Sequence, residues 1–308
     1  MFDLTNPIFT DADKAREHLE AINWPDGPTC PHCGECENVH RLQGKSHRAG
    51  LIQCNSCLKN FTVTVGTVFE RSKVPLNKWL LATYLLASSK KGMSAHQIGR
   101  MLGVTYKTAW FMCHRIREAM KQDCGPMGGP HSIVEADETW VGGKAKNRAH
   151  RAPKKMQMVF SLVERDTLDG NGKVASYHVA NVTGATLRPL IVEKVDRASF
   201  LMTDEAPVYK RIGREFSAHG TTNHQALQFT DSVGFKHTNT VENFFSIFKR
   251  GIVGIYHHVS EAHLARYTAE FDFRYNTKDF TDGERTIEAL KGIVGKRLTY
   301  RRTDPLAA

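Results

Sequence analysis

The chain has 308 residues, 41% of them apolar, which is enough for two or three domains with real cores. Its net charge of +10 points to a polyanionic partner, and nucleic acid fits better than membrane because no segment approaches the roughly 18 consecutive apolar residues of a spanning helix. Seven cysteines, an odd number with four in two Cys-x-x-Cys pairs, suit a reducing compartment and a metal better than disulfides, and the first seven residues lack the basic and apolar regions of a signal peptide.

Asp11–Ile22 reads as a short helix with Ala15, Leu19 and Ile22 on one side, ending before the turn Trp24-Pro-Asp-Gly27. Twenty residues then separate Cys30-Pro-His-Cys33 from Cys54-Asn-Ser-Cys57, the spacing of a four-thiolate zinc site. Little apolar sequence lies between the pairs, so this segment needs the metal to fold. One structural Zn²⁺ is therefore expected on Cys30, Cys33, Cys54 and Cys57, with His32, Cys36 and His40 as bystanders. Phe61–Phe69 alternates like a strand closing the ribbon. Pro75 opens a helix with Leu76, Trp79, Leu80, Thr83 and Leu86 inward. Ser94 starts a second helix, Ala95–Leu102, and Gly103 stops it. Thr105 caps a third, from Tyr106 to about Lys121, whose Ala109, Cys113, Ile116 and Met120 face the core. Tyr106, Lys107, Thr108, His114, Arg115 and Arg117 are left for solvent or DNA, the pattern of a helix-turn-helix.

Gly125-Pro-Met-Gly-Gly-Pro130 reads as a linker. Predicted domains are thus 1–69 (helix and zinc ribbon), 70–124 (helix-turn-helix), linker 125–131, and 132–308 (catalytic). In the last, strands are expected at Ile133–Val141, Met156–Val163, Lys173–Val182, Phe200–Thr203 and Ala226–Phe229. Helices are expected at Ala185–Val195, Val208–Phe216, Thr240–Ile255 and Glu261–Tyr275. Strand alternation sets Ile133, Glu135 and Asp137 on one face and Val134, Ala136 and Glu138 on the other. A carboxylate in mid-strand costs several kcal/mol if buried without a partner or metal. Asp204 and Glu242 supply companions: three acids from three elements suit Mg²⁺ or Mn²⁺ as hard oxygen ligands. Taken singly, Asp204 could equally be a turn residue, and Glu242 the capping-box partner of Asn239. Residues 144–155 carry Lys144, Lys146, Arg148, Arg151, Lys154 and Lys155, placed to contact phosphates.

Three blocks make a resemblance specific: Asp137-Glu-Thr-Trp-Val-Gly-Gly-Lys144, Thr203-Asp-Glu205, and His237-Thr-Asn-Thr-Val-Glu-Asn-Phe-Phe-Ser-Ile-Phe-Lys-Arg-Gly251. Together with the ribbon, Gly66-Thr-Val-Phe69, Tyr106-Lys-Thr-Ala-Trp110 and Phe273-Arg-Tyr-Asn276, they resemble the DDE transposases of bacterial insertion sequences, in particular the zinc-ribbon-bearing ISXO-like family. The order of elements after residue 132 resembles the RNase H-like, retroviral-integrase-like fold, a mixed sheet with flanking helices; the whole reads as a multidomain α/β protein. The resemblance implies that Asp137, Asp204 and Glu242 bind two Mg²⁺ or Mn²⁺ ions, and that water first frees a 3′-hydroxyl which then attacks target DNA. It further implies double-stranded DNA partners (terminal inverted repeats and target), a homo-oligomer on DNA, no membrane, and a place at the nucleoid in the cytoplasm. Lys249 and Arg250 would hold phosphate near the metals. Asn243, following Glu242, departs from the family's usual glycine and makes Asn243 a rival third ligand. Other readings of the same residues are a DNA-binding regulator and a nuclease that does not join strands.

Overall fold

A computed structural model describes residues 3–142, 156–167, 170–222 and 237–299. The chain divides into two units, residues 1–121 with 279–308, and residues 122–278.

The first unit opens with α1 (Ala12–Asn23), where the Asp11 carboxylate accepts the N–H groups of Asp13 and Lys14 at 2.7 and 3.1 Å. A three-stranded antiparallel sheet follows, β1 (Val39–Arg41), β2 (Ile52–Cys54) and β3 (Asn60–Phe61), in the order β1-β2-β3. Its core is only Cys30, Ile52, Cys54 and Phe61 with a few half-buried neighbours, so apolar burial alone holds this module weakly. The strand expected across Phe61–Phe69 stops at Phe61. The remainder is a chain of turns in which Val65 N–H donates to Thr62, and Glu70 N–H to Thr67, at 2.9 and 3.1 Å. Val63, Thr67 and Phe69 are buried, but so are Thr62 and Val68 of the other parity, and the backbone bonds are made in local turns and in an antiparallel bridge from Thr67 to Val294. Three helices follow: α2 (Leu76–Ser88), α3 (Ala95–Leu102) and α4 (Tyr106–Met120). Ser94 Oγ accepts Gln97 N–H at 3.2 Å, Thr105 Oγ1 accepts Thr108 N–H at 3.3 Å, and Gly103 makes the corner at φ 61°, a conformation that favours glycine.

In the second unit β4 (Ile133–Val141), β5 (Gln157–Glu164) and β6 (Val174–Val179) form an antiparallel meander. Next come α5 (Gly184–Lys194), β7 (Phe200–Asp204), α6 (Pro207–Ile212), β8 (Ala218–Thr222), α7 (Asn239–Gly251) and α8 (Glu261–Asn276). The sheet order is β6-β5-β4-β7-β8, with β7 parallel to both β4 and β8. Counted within the unit this is 3-2-1-4-5, the RNase H-like order expected. The strand predicted at 226–229 lies outside the described residues; the fifth strand found is β8. One sheet face packs Val134, Ala136, Phe160 and Leu201 against α5 and α6. The other packs Val141, Val159, Val163 and Val174 against α7 and α8. The predicted stripe on α7 is the one buried: Val241, Phe244, Phe245, Phe248 and Ile252 are all at most 5% exposed.

Two predicted boundaries change. Residues 125–130 are no free linker: Met127 is 1% exposed, its N–H donates to Lys194 O at 2.7 Å, and Gly129 N–H donates to Ser199 Oγ at 2.9 Å. Gly128, at φ 82°, lies so close to Ser199 that a Cβ would collide with its hydroxyl. The second unit also ends at 278, so the domain expected over 132–308 is shorter. A further helix, α9 (Asp282–Lys291), belongs to the first unit, where Arg285 Nη1 donates to Ala87 O at 3.2 Å and Val68 N–H donates to Ile293 O at 3.2 Å. Its Ala289 and Leu290, and Ile293 just beyond its end, are at most 1% exposed, a burial that a reading by sequence proximity could not assign.

Candidate metal centres and acidic site

The four ribbon cysteines converge. Their Sγ atoms all lie within 4.8 Å of one another, with Cys30–Cys57 at 3.7 Å and Cys33–Cys54 at 3.6 Å. Those separations match the edges of a tetrahedron whose metal–sulfur bonds are about 2.3 Å, so the donor set fits a structural Zn²⁺. Glu35 shapes the first knuckle, its carboxylate accepting the N–H groups of Cys36, Glu37 and Asn38 and the Ser56 hydroxyl. His32, Cys36 and His40 stay exposed and outside the cluster.

The acidic site is built by strand register. Glu135 pairs with Met202 in the parallel β4–β7 ladder, so two residues further on Asp137 comes level with Asp204 on the same face. Asp137 is also level with Ser161 on β5, Ser161 with Ser176 on β6, and Asp204 with Thr222 on β8. One row of polar residues therefore crosses the whole sheet on the face that carries α7 and α8. At one end Ser161 and Ser176 share a hydrogen bond of 2.8 Å, and Asp272 of α8 accepts the Ser176 hydroxyl and N–H at 2.6 and 2.9 Å. At the other, Thr222 Oγ1 lies 3.4 Å from Thr238 Oγ1, and Thr238 donates to Glu242 Oε1 at 3.1 Å.

Burial pushes the Asp137 carboxyl up to about 7, and the negative charges of Glu138, Asp204 and Glu242 add to the rise against its bond from Glu138 N–H. Asp137 and Asp204 are half-buried, and Asp204 Oδ1 accepts Ala206 N–H at 3.0 Å. Glu242 is half-buried near the start of α7, whereas Asn243 is exposed. Asn239 is the first residue of α7, after the cap Thr238, so the Asn239–Glu242 capping box does not form. Among the described residues, the four thiols are the His, Cys, Asp or Glu group that converges closely enough to hold a metal ion. Glu138 points to the opposite face, accepting the Tyr209 hydroxyl at 2.5 Å.

Sequence reasoning passed over Glu135. Fully buried, it accepts Arg165 Nε at 2.6 Å, the Thr240 hydroxyl at 2.8 Å and Val241 N–H at 2.8 Å. It thus satisfies an orphan donor of α7's first turn from the neighbouring strand. Its strand position on Asp137's face was the available signal.

The basic residues divide. Lys144, Lys146, Arg148, Arg151, Lys154 and Lys155 lie outside the described residues. Lys249 and Arg250 are exposed at the end of α7, and Tyr106 and Lys107 at the start of α4, with Thr108 half-buried. His114, Arg115 and Arg117, expected outward, are instead 1, 9 and 2% exposed. Arg115 donates to Glu70 O at 3.0 Å and Leu298 O at 3.3 Å, so the C-terminal tail covers a face of α4 that periodicity alone left open.

A ribbon able to hold zinc and, later in the same chain, an α/β unit of RNase H-like order define the class. Residues 127–276 match the ISXO2-like transposase domain, and residues 10–60 match the transposase zinc-ribbon domain. The chain belongs to the ISXO2-like transposase family. It is similar to an uncharacterized protein in the transposable element ISH50 of Halobacterium salinarum, 26% identical over 287 residues, covering 86% of this chain and 91% of that protein. Among solved structures it is similar to a simian T-cell lymphotropic virus intasome in complex with a PP2A regulatory subunit, at 17% identity over 63% of this chain and 68% of that one, TM-score 0.29. It is also similar to the Drosophila P element transposase strand transfer complex, at 11% identity over 67% of this chain and 57% of that one, TM-score 0.29. The fold assignment rests on the strand order itself. No helix among the described residues is long and apolar enough to cross a membrane.

Proposed function

We propose that the chain cuts DNA at insertion-sequence ends and joins the freed 3′-hydroxyl to target DNA, in a reaction that depends on Mg²⁺ or Mn²⁺. The observation that carries this reading is the β4–β7 register, which sets Asp137 level with Asp204 on the face where α7 presents Glu242. Asp137, whose proton affinity the charges of Asp204 and Glu242 raise, belongs to a donor set suited to a divalent cation. Asp137, Asp204 and Glu242 would hold two ions; bound there, they supply charge to activate the attacking oxygen and stabilise the leaving one. The chain's own groups orient the carboxylates: Glu138 N–H holds Asp137, Ala206 N–H holds Asp204 and the Thr238 hydroxyl holds Glu242. Exposed Lys249 and Arg250 are placed for phosphate, and the start of α4, with Tyr106, Lys107 and Thr108, for the duplex ends. The protein acts as a homo-oligomer on two DNA ends.

The test is joining of a pre-cleaved oligonucleotide end to a second duplex in Mg²⁺. Joined product is expected; cleavage without joining would make the protein a nuclease. Glu242→Gln should abolish cleavage and joining, a loss on the order of 3 kcal/mol or more of transition-state stabilisation, with duplex binding and circular dichroism unchanged. Asn243→Ala should stay active. The reverse pair of results would transfer the third ligand to Asn243.

A further inference from the structure

Beside the start of α4, within the first unit, lies a cavity of about 630 Å³, a volume in the range of small-ligand sites. Its lining is of two kinds. Arg71, Lys73 and Lys107 are cationic and exposed at the mouth, while Trp79, Trp110 and Phe111 form apolar walls. Arg115 adds a fixed positive floor: its guanidinium lies over Phe111 at 4.7 Å and Trp79 at 6.0 Å, and two of its donors are tied to backbone carbonyls. Among the described residues, no acidic one lines the space. The neighbouring Glu70 is engaged from two sides, by Arg71 and Arg297, each at 3.6 Å.

From this juxtaposition we propose that the cleft binds one unpaired nucleotide of a single DNA strand, its base against the Trp110–Phe111 walls and its phosphate at the Arg71–Lys73–Lys107 rim. Aromatic surface beside clustered cations is what single-stranded nucleic acid needs, because every base offers a stacking face and every nucleotide a negative charge. A base held in a duplex cannot reach the walls, since both its faces are covered by its neighbours; an unpaired one swings in at the cost of its own unstacking. A phosphate-only site would not use Trp and Phe walls, and an apolar ligand would gain nothing from three cations at the mouth. α4 thus does more than present an outer face to a groove: its positions 107, 110 and 111, one turn apart, line the space. The inference rests on the DNA-processing reading above and shares Lys107 with it; Arg71, Lys73, Trp110 and Phe111 are its own.

The test uses the full zinc-loaded chain with no added divalent cation, and fluorescence anisotropy on three probes: an oligo-dT decamer, a decamer of abasic residues, and a hairpin duplex of equal length. The oligo-dT decamer is expected to bind about tenfold or more tighter than the abasic one, within the range for one stacked base, and to quench tryptophan emission. Trp110→Leu should weaken oligo-dT binding about tenfold, with less than about twofold change on the duplex, and Trp110→Phe should restore it. Zinc content and circular dichroism report folding. If Trp110→Leu fails to fold, Arg71→Ala at the exposed rim takes its place and should weaken oligo-dT more than duplex. Equal binding of abasic and oligo-dT decamers, or equal losses on single strand and duplex, would overturn the proposal. Because this readout needs no Mg²⁺ and no joining, it can fail while strand joining succeeds, and the converse.

Discussion

Asp272 and Asp137 are carboxyls held under the same physical stress. In each, burial pushes the proton affinity up to about 7; in Asp272 it does so against two bonds from Ser176, although the residue keeps some exposed surface. A carboxyl whose folded value lies above its ordinary 3.8 binds its proton more tightly in the native state. Its contribution to stability is therefore complete below about pH 4 and is lost as pH rises through 7, by at most about 1.4 kcal/mol per pH unit for one group. Asp272→Asn keeps an acceptor for Ser176 and cannot ionise, so in urea unfolding without added divalent ions it should show a flatter decline between pH 5 and 8. Asp137 contributes with the same sign, so about half the slope should remain. An unchanged slope in Asp272→Asn would show that the carboxyl titrates normally. At this scale Asp137 was legible because an acid in a β-favouring run needs a partner. Asp272 was not, because its partner Ser176 stands 96 residues away and nothing local marks it.

Between α7 and β4 the connection is Glu135, which joins a strand to the first turn of a helix more than a hundred residues later. The Val241 N–H would otherwise be an unpaired donor in the buried start of the helix, and Arg165, whose side chain is 13% exposed, would lose its counter-charge. Removing one partner of such a buried pair is costly, on the order of 3 kcal/mol or more. Glu135→Ala should therefore lower the unfolding free energy of residues 122–278 by about that amount, read as a lower urea midpoint, and loosen α7, while Glu135→Gln, which still accepts Val241 N–H, should lose less. A midpoint unmoved in Glu135→Ala would show that α7 is held by its apolar stripe alone. The stripe itself was readable from the sequence, because Val241, Phe244, Phe245, Phe248 and Ile252 repeat at the helical period. The clamp was unreadable because hydrogen bonds between distant elements leave no periodic trace. The same limit explains Phe61–Phe69, where the bridge partner of Thr67 is Val294, far along the chain, and burial takes in residues of both parities.

The division of the whole molecule follows from where its last helix goes. Residues 279–299 lie after the catalytic unit in sequence, and length and order alone assigned them to it. Their chemistry assigns them elsewhere: Ala289, Leu290 and Ile293 are buried in the first unit, Gly295 N–H donates to Gly66 O at 3.0 Å, and Lys296 Nζ donates to Ala119 O at 3.0 Å. Gly292 packs so closely on the Ala119 carbonyl that a side chain there would collide with it. The ribbon adds a core of only four residues, so the first unit rests on its helices, where Trp79, Leu80, Leu86, Ile116 and Met120 are buried, and losing the contacts of α9 uncovers part of that core. Each buried Leu or Ile side chain is worth about 1.5–3 kcal/mol, and total domain stability is only about 5–15 kcal/mol. Residues 122–278 expressed alone should therefore unfold cooperatively, having kept both faces of their sheet covered. Residues 1–121 alone should melt well below the intact protein even when zinc is saturating, and a fragment in which 279–299 is joined to them through a glycine-serine linker should recover. The zinc site separates the two causes of loss: Cys54→Ser should lower the zinc content of both forms, whereas adding α9 should raise the melting temperature without changing how much zinc is bound. If 1–121 melts as the linked fragment does, α9 is a passenger on the first unit. If 122–278 fails to fold without residues 279–299, the catalytic unit depends on that stretch after all.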